Sequence, residues 1–199
     1  KGKREVVFTG GEPTLHPDFL HFVGKAREIG YEEVQIQTKG RTFYYTDFCL
    51  RTIKAGATQF SPALHGPTAR IHDHLTRAPG SFEQTVQGIK NLKNLNQYVL
   101  TNTVITSTNY KYLPQLAELF VRLGVDQFQF AFIHILGTAA QNSDWIVPTK
   151  SESISYIKQG LDIGLAAEKR VSTEAIPFCF MEGYERCIAE NTIMPESMV

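Results

Sequence analysis

The sequence is poor in cysteine, carries no net charge and has no long hydrophobic run, and each of these absences excludes a class of protein. Its 199 residues include only three cysteines, Cys49, Cys179 and Cys187, which are too few and too scattered for a disulfide-stabilised scaffold. Twenty basic residues balance twenty acidic ones, so no charge excess indicates a nucleic-acid surface. No apolar segment reaches the length of a membrane span, and no signal peptide opens the chain. We therefore expect a cytoplasmic protein with neither nucleic acid nor membrane among its partners.

Glycine-rich motifs of the Rossmann or P-loop type do not occur either, which weighs against the commonest nucleotide-binding folds. Instead, short apolar segments of strand period alternate with amphipathic segments of helical period. Residues 17–30, for example, carry an apolar helical face, whereas in Glu33–Thr38 the apolar Val34 and Ile36 alternate with glutamines. Five such strand–helix units predict an α/β fold with a parallel sheet, either a barrel or a doubly wound sheet.

One loop concentrates the signals of a ligand site. Residues 6–8 are a short apolar run that predicts a strand, and Gly10 and Gly11 follow it directly, allowing the backbone to approach a ligand closely. Pro13 fixes the exit direction of the loop and holds the preceding residue, Glu12, extended. Ligands of α/β folds bind at the carboxyl ends of strands, so Glu12 is suitably placed for a ligand with a cationic amino group.

The amino-acid sequence of this loop, Thr-Gly-Gly-Glu-Pro-Thr at residues 9–14, resembles the second-strand motif of the radical S-adenosylmethionine (radical SAM) enzymes. Residues 37–40, 60–66 and 102–109 resemble the ends of the third, fourth and fifth strands of that family. The resemblance implies a partial (β/α)6 TIM-like barrel of parallel strands, with strands two to six present, followed by a C-terminal helix and an irregular extension. It divides the chain into an N-terminally truncated radical SAM core, residues 1–148, and a C-terminal helix with a cysteine-containing extension, residues 149–199.

The same resemblance implies a set of residues that bind S-adenosylmethionine, with the motif's backbone and its Glu holding the amino group. These residues are Gly10, Gly11, Glu12, Pro13, Thr38, Ser61 and Asn102. Two positions depart from the family pattern, because Lys39 replaces the usual Asn and Ala63 lacks the hydroxyl that many relatives offer. Ser61 lies two residues before Ala63, on the same side of the predicted strand, and is expected to substitute for it.

A further part of the family pattern is absent from the sequence. The three cysteines of a Cys-x-x-x-Cys-x-x-Cys loop bind a [4Fe–4S] cluster in the family, and they are expected upstream of Lys1. The resemblance therefore implies a fragment, inactive by itself. The intact enzyme would take electrons from a donor such as flavodoxin or ferredoxin. It would use a 5′-deoxyadenosyl radical to abstract hydrogen from an unidentified small-molecule or peptide substrate.

Cys179 and Cys187 admit two interpretations. The Pro-x-Cys sequence at residues 177–179 is similar to the start of C-terminal extensions that hold an auxiliary Fe–S cluster in some radical SAM enzymes. Two thiolates cannot complete such a cluster by themselves, so the alternative is a pair of free thiols. Cys49 lies in an apolar helical segment and is expected to pack in the core.

Two other classes of function stay open on the sequence alone. One is a non-catalytic α/β domain that binds a small ligand through Glu12. The other is a metal-dependent (β/α) hydrolase that uses His65, His72 and Asp73. The His-x-His spacing of His72 and His74 could suggest a metal site, but on a helix these two side chains point apart.

Overall fold

The computed structural model describes residues 4–191 and contains one six-stranded sheet in which every pairing is parallel. The strands lie side by side in the order of the sequence: β1 (Glu5–Phe8), β2 (Glu33–Thr38), β3 (Gln59–Pro62), β4 (Tyr98–Ile105), β5 (Gln127–Phe132) and β6 (Arg170–Glu174). Within the described residues β1 and β6 do not pair, so the sheet is open. The predicted α/β fold with successive parallel strands is confirmed.

Eight helices accompany the strands in the part of the chain that the structure describes. They are α1 (Phe19–Glu28), α2 (Thr46–Ala55), α3 (Ala69–Thr76), α4 (Ser81–Asn94), α5 (Leu113–Leu123), α6 (Thr138–Gln141), α7 (Ser143–Ile146) and α8 (Lys150–Ala166). Since parallel neighbours require a crossover connection, the helices α1, α2, α4, α5 and α8 each link one strand to the next.

The two faces of the sheet differ because strand side chains alternate between them. Val34, Ile36 and Phe60 are fully buried in the core. Phe128 and Phe130 are also fully buried, as the alternation of aromatic residues in β5 predicts. The opposite face carries polar side chains, several of them amides, and its register places Asn102 of β4 beside Gln129 of β5.

Helix α8 approaches β5 closely, because glycines face the aromatic side chains of the strand. A Cβ atom at Gly164 would lie 2.5 Å from Cζ of Phe128, and one at Gly160 would lie 2.7 Å from Cε2 of Phe130. Real Cβ atoms essentially never approach other atoms so closely, so only glycine fits at these two positions without displacement of the core.

The N-terminus of α4 differs from the sequence prediction. The sequence suggests Ser81 as the cap, with Glu83 or Gln84 near the capping-box position, but the residue before the helix is Gly80, with φ +80°. The capping acceptor is Asp73 of α3. Its carboxylate accepts hydrogen bonds from the backbone N–H groups of Gly80 and Phe82, both at 2.7 Å, and from the hydroxyl of Ser81 at 2.9 Å. The prediction is therefore wrong, because a neighbouring helix supplies the cap.

The chain after α8 returns to the sheet. β6 pairs with β5 in the register that places Thr173 opposite Phe130, and a single parallel bridge links Thr173 to Ile188 beyond it. Short 3-10 turns follow β6 up to residue 191, and residues 192–199 of the predicted extension lie outside the described residues. The division of the chain at residue 148 stays a prediction.

Candidate functional site

A cavity of about 270 Å³ lies over the carboxyl ends of β2, β3 and β4 and beside the glycine loop that follows β1. We call it the strand-end cavity. Five of the seven residues predicted from the sequence to bind cofactor line it. They are Gly10, Gly11, Thr38, Ser61 and Asn102.

The glycine loop leaves its cavity side open. A Cβ atom built at Gly10 or Gly11 would meet no atom within 4 Å, so space for a ligand surrounds the loop. Gly10 has φ +127°, a conformation that residues with a side chain rarely adopt. The loop therefore depends on glycine for its shape, and its backbone polar groups are accessible to a ligand.

Glu12 is extended, with φ −155° and ψ 99°, and Pro13 follows it at the start of a 3-10 turn. Its Oε1 accepts hydrogen bonds from the hydroxyls of Thr14, at 2.6 Å, and Thr38, at 2.8 Å, and from the backbone N–H of Thr14 at 3.3 Å. Its Oε2 accepts from the backbone N–H of Lys39 at 2.6 Å. The carboxylate thus ties the loop after β1 to the end of β2.

This arrangement turns the Glu12 side chain toward a neighbouring cavity of about 360 Å³, which Lys39, Arg41 and Tyr45 also line. Four protein donors already occupy the carboxylate, three of them on Oε1. In this structure Glu12 therefore holds the loop in place, whereas the loop glycines face the strand-end cavity.

The other predicted residues present different chemistry to the strand-end cavity. The hydroxyl of Thr38 donates to Glu12 and accepts from the N–H of Gly40 at 2.9 Å, so it is committed to the protein. Ser61 is 4% exposed, and Ala63 forms a parallel bridge with Asn102. Oδ1 of Asn102 is buried and has no hydrogen-bond partner among the described residues. Buried polar atoms are normally paired, so this acceptor fits a ligand that donates a hydrogen bond.

Two histidines stack at the boundary of the strand-end cavity. The rings of His65 and His72 lie 5.8 Å apart with an interplanar angle of 19°. Burial lowers the pKa of each to about 4, so both rings are neutral at pH 7. Nδ1 of His65 accepts from the N–H of Val104 at 3.3 Å, and Nδ1 of His72 accepts from the N–H of His65 at 3.0 Å. Each neutral ring therefore carries its proton on Nε2.

No metal centre forms among residues 4–191, where no three His, Cys, Asp or Glu side chains are close enough together to hold an ion. Cys49 is buried in α2, donates to the carbonyl oxygen of Phe43 at 3.2 Å, and has a pKa that burial raises to about 11. Cys187 is buried, which raises its pKa, whereas Cys179 is exposed. The residues described do not provide the ligand set of a [4Fe–4S] cluster, and an auxiliary cluster on Cys179 and Cys187 stays a prediction.

Sequence reasoning did not identify the buried environment of His72 or the contribution of Arg41 and of the Lys39 backbone. His72 is 1% exposed although it lies on a short polar helix. The apolar neighbour Ile71 was the signal in the sequence that could have predicted this burial.

Within residues 4–191, no helix is both long enough and apolar enough to cross a membrane.

The comparisons with known proteins address the same stretch of sequence. The model of the Radical SAM superfamily matches residues 1–120, which is more than half of the chain. This chain belongs to the radical SAM superfamily. The glycine loop, the strand-end cavity and Asn102 all lie within the matched region.

Individual relatives agree with the family assignment. The chain is 29% identical over 140 residues to an AdoMet-dependent heme synthase of Oleidesulfovibrio alaskensis, a match that covers 70% of this chain and 36% of the relative. SuiB of Streptococcus suis has a similar fold. Its structure with S-adenosylmethionine has a TM-score of 0.69 at 15% identity and covers 92% of this chain and 41% of SuiB. Its structure with the precursor peptide SuiA has a TM-score of 0.70 at 14% identity and covers 92% of this chain and 40% of SuiB.

Membership places the chain in a superfamily of enzymes, and it favours neither the non-catalytic domain nor the metal-dependent hydrolase. The ring atoms that accept are also engaged by the protein. Nδ1 of His65 and of His72 each accept a backbone N–H, which leaves the proton on Nε2, and Asp73 caps α4. The chain spans about a third of the length of the heme synthase that it matches.

Proposed function

We propose that this chain is the cofactor-binding core of a radical SAM enzyme and that it binds S-adenosylmethionine in the strand-end cavity. The observation that carries the proposal is the buried, unpartnered Oδ1 of Asn102 in a cavity that the Gly10–Gly11 backbone also lines. An unpaired acceptor and an open glycine loop suit a cofactor that bears an ammonium group and hydroxyls.

Each predicted residue has a distinct role in this proposal. Backbone carbonyls at Gly10 and Gly11 accept from the ammonium group, and Pro13 fixes the exit of the loop. Glu12 holds the loop against β2 through its hydrogen bonds, and its carboxylate, which lines the adjoining cavity, adds negative charge near the loop. Ser61 and Asn102 contact the remaining cofactor surface, and Thr38 orients Glu12. When it is bound beside a reduced cluster, S-adenosylmethionine supplies the radical that abstracts hydrogen from the substrate.

The [4Fe–4S] cluster requires thiolates that residues 4–191 do not bring together. We propose that the intact protein carries them in a Cys-x-x-x-Cys-x-x-Cys loop upstream of Lys1, and that it receives electrons from a donor such as flavodoxin or ferredoxin. The substrate is a small molecule or a peptide. The heme synthase and the peptide-bound SuiB support one class each, and the strand-end cavity does not discriminate between them.

Equilibrium dialysis of S-adenosylmethionine against the 199-residue chain tests cofactor binding. Asn102→Ala removes the unpaired acceptor and should weaken binding about tenfold, the loss expected for one buried hydrogen bond. Gln115→Ala removes an exposed amide from α5, outside the cavity, and should leave binding unchanged. Absence of saturable binding by the unmodified chain, or equal affinities of the two variants, would contradict the proposal.

The gene sequence upstream of Lys1 provides an independent test. Three cysteines with the stated spacing, within about 50 codons, are expected because one or two βα units have that length. A start codon directly before Lys1 would remove the source of the cluster ligands and contradict the radical mechanism.

A further inference from the structure

A third cavity, of about 250 Å³, lies next to the strand-end cavity, between the end of β3 and the helices α3 and α4. We call it the histidine cavity. It shares Lys39, Ala63 and His65 with the strand-end cavity and is also lined by Arg41 and His72. We infer that the histidine cavity binds an anionic group of the size of a carboxylate or a phosphate.

The charged lining of this cavity has one sign. Lys39 and Arg41 are its charged side chains, and no carboxylate of the described residues belongs to the lining. Asp73, next to His72 on α3, accepts three hydrogen bonds at the N-terminus of α4. Glu12 lines the adjoining cavity together with Lys39 and Arg41 and accepts four hydrogen bonds there. Both carboxylates keep their charge but lie outside the lining, so the lining of the histidine cavity itself carries positive charge and no negative charge.

The two histidines add neutral donors to the two cations. Since each Nδ1 accepts a backbone N–H, the Nε2–H of each ring is the group left to bind a ligand. Neither Nε2 has a hydrogen-bond partner among residues 4–191, although His72 is 1% exposed and His65 lines both cavities. The buried side-chain atoms without a partner in the described residues are Oγ1 of Thr101 and Oδ1 of Asn102, so the two Nε2–H groups are not sealed in the core and retain contact with the cavity. An anion is a stronger acceptor for them than water.

Hydrogen bonds to the protein help to position the two exposed cationic residues, Arg41 and Lys39. Nε of Arg41 donates to Oε1 of Gln84 at 2.6 Å, and its two terminal nitrogens have no hydrogen-bond partner among the described residues. The backbone N–H of Lys39 donates to Oε2 of Glu12, which fixes the point from which the lysine side chain extends. A fixed guanidinium group binds a carboxylate or a phosphate through two parallel hydrogen bonds.

The hydroxyls in the lining do not compete for this role. Those of Thr76 and Ser81 bond to each other at 2.7 Å, and Ser81 also donates to Asp73. The cavity thus offers an anion two cations and two ring N–H groups. The anion has two possible sources, the carboxylate of S-adenosylmethionine or an acidic group of the substrate, and only this assignment of the source depends on the proposed function.

Titration of the 199-residue chain with inorganic phosphate at pH 7 and constant ionic strength tests the anion site. The ring Nε2 resonances of His65 and His72 should shift saturably in NMR spectra. Arg41→Gln should weaken phosphate binding about tenfold, as for a lost charge-assisted hydrogen bond. Lys90→Gln, which removes one exposed positive charge from α4 outside the cavity, should have no effect. His72→Asn keeps an acceptor for the His65 N–H, removes the ring donor and should weaken binding several-fold.

A titration without saturable shifts of these resonances would overturn the inference, as would equal losses in Arg41→Gln and Lys90→Gln. Because Arg41 is exposed, its variant is informative even if His72→Asn does not fold. If phosphate competes with S-adenosylmethionine, and Arg41→Gln weakens that cofactor but not its decarboxylated form, the cofactor carboxylate is the anion. If both bind together, the anion belongs to the substrate. Phosphate binding without cofactor binding would sustain the anion site and contradict the proposed function.

Discussion

Replacement of Glu12 tests whether its carboxylate holds the glycine loop against the sheet. Glu12→Ala removes the acceptor of four hydrogen bonds, two from backbone N–H groups and two from threonine hydroxyls. Two of these donors, the hydroxyl of Thr38 and the N–H of Lys39, belong to the end of β2. The substitution therefore removes two links between the strands and two bonds within the turn after Glu12.

The magnitude follows from the number of bonds and the exposure of the site. Each bond contributes about 1 kcal/mol net, because folding exchanges bonds to water for bonds within the protein. Glu12 is half-buried, so water can reach some of the abandoned donors. We therefore expect Glu12→Ala to lower the free energy of unfolding by about 2–3 kcal/mol, less than the full sum. Glu12→Gln keeps the Oε1 acceptor but places an NH₂ group, which cannot accept, against the N–H of Lys39. We expect it to lower the free energy of unfolding by about 1–2 kcal/mol.

Urea denaturation measures these changes, and amide hydrogen exchange at Lys39 and Thr14 locates them. Glu32→Ala is a matched control, because within the described residues the Glu32 side chain takes part only in an exposed ion pair with Arg4, at 3.5 Å, and its loss should cost less than about 0.5 kcal/mol. Glu12 does not hold the loop against β2 if Glu12→Ala unfolds at the same urea concentration as the Glu32 variant and Lys39 keeps its protection from exchange.

Three further predictions concern the pH dependence, the packing and the capping of the fold. Burial lowers the pKa of His72 and of its stacked neighbour to about 4 from an ordinary 6.5, so the unfolded chain takes up protons first as the pH falls. The free energy of unfolding should therefore decrease between pH 6.5 and 4, by roughly 2–3 kcal/mol per ring, and urea titrations should show a shallower decrease in His72→Asn. Gly164→Ala should destabilise by about 1–3 kcal/mol through collision with Phe128, whereas Gly24→Ala, whose Cβ would meet only a carbonyl at 3.7 Å, should not destabilise; equal thermal midpoints would contradict the packing argument. Asp73→Ala should cost about 1–2 kcal/mol by uncapping α4, and unchanged amide protection in the first turn of α4 would disprove that role.

Local periodicity was sufficient to predict most of the elements. The alternation in Glu33–Thr38 predicts a strand, and the apolar period of Leu113–Leu123 with Gly124 after it predicts a helix; both have the observed bounds, because these patterns depend on neighbouring residues alone. The ends of other elements differ by a few residues. The aromatic alternation predicts a strand over residues 127–135, but β5 ends at Phe132, and α1 is shorter than residues 17–30 at both ends. Such ends depend on backbone pairing that the periodicity of side chains does not specify.

Residue type and spacing were enough to predict the family, the alternation of strands and helices, and the Gly-Gly-Glu-Pro loop. The direction of the Glu12 carboxylate depends on the fold, because its oxygens accept from donors 26 and 27 positions away, which the pairing of β1 with β2 brings near. It also decided that Asp73 caps α4 and that His72 is buried against His65. Contacts between separate elements arise from the register and packing of the sheet, which short-range patterns do not encode.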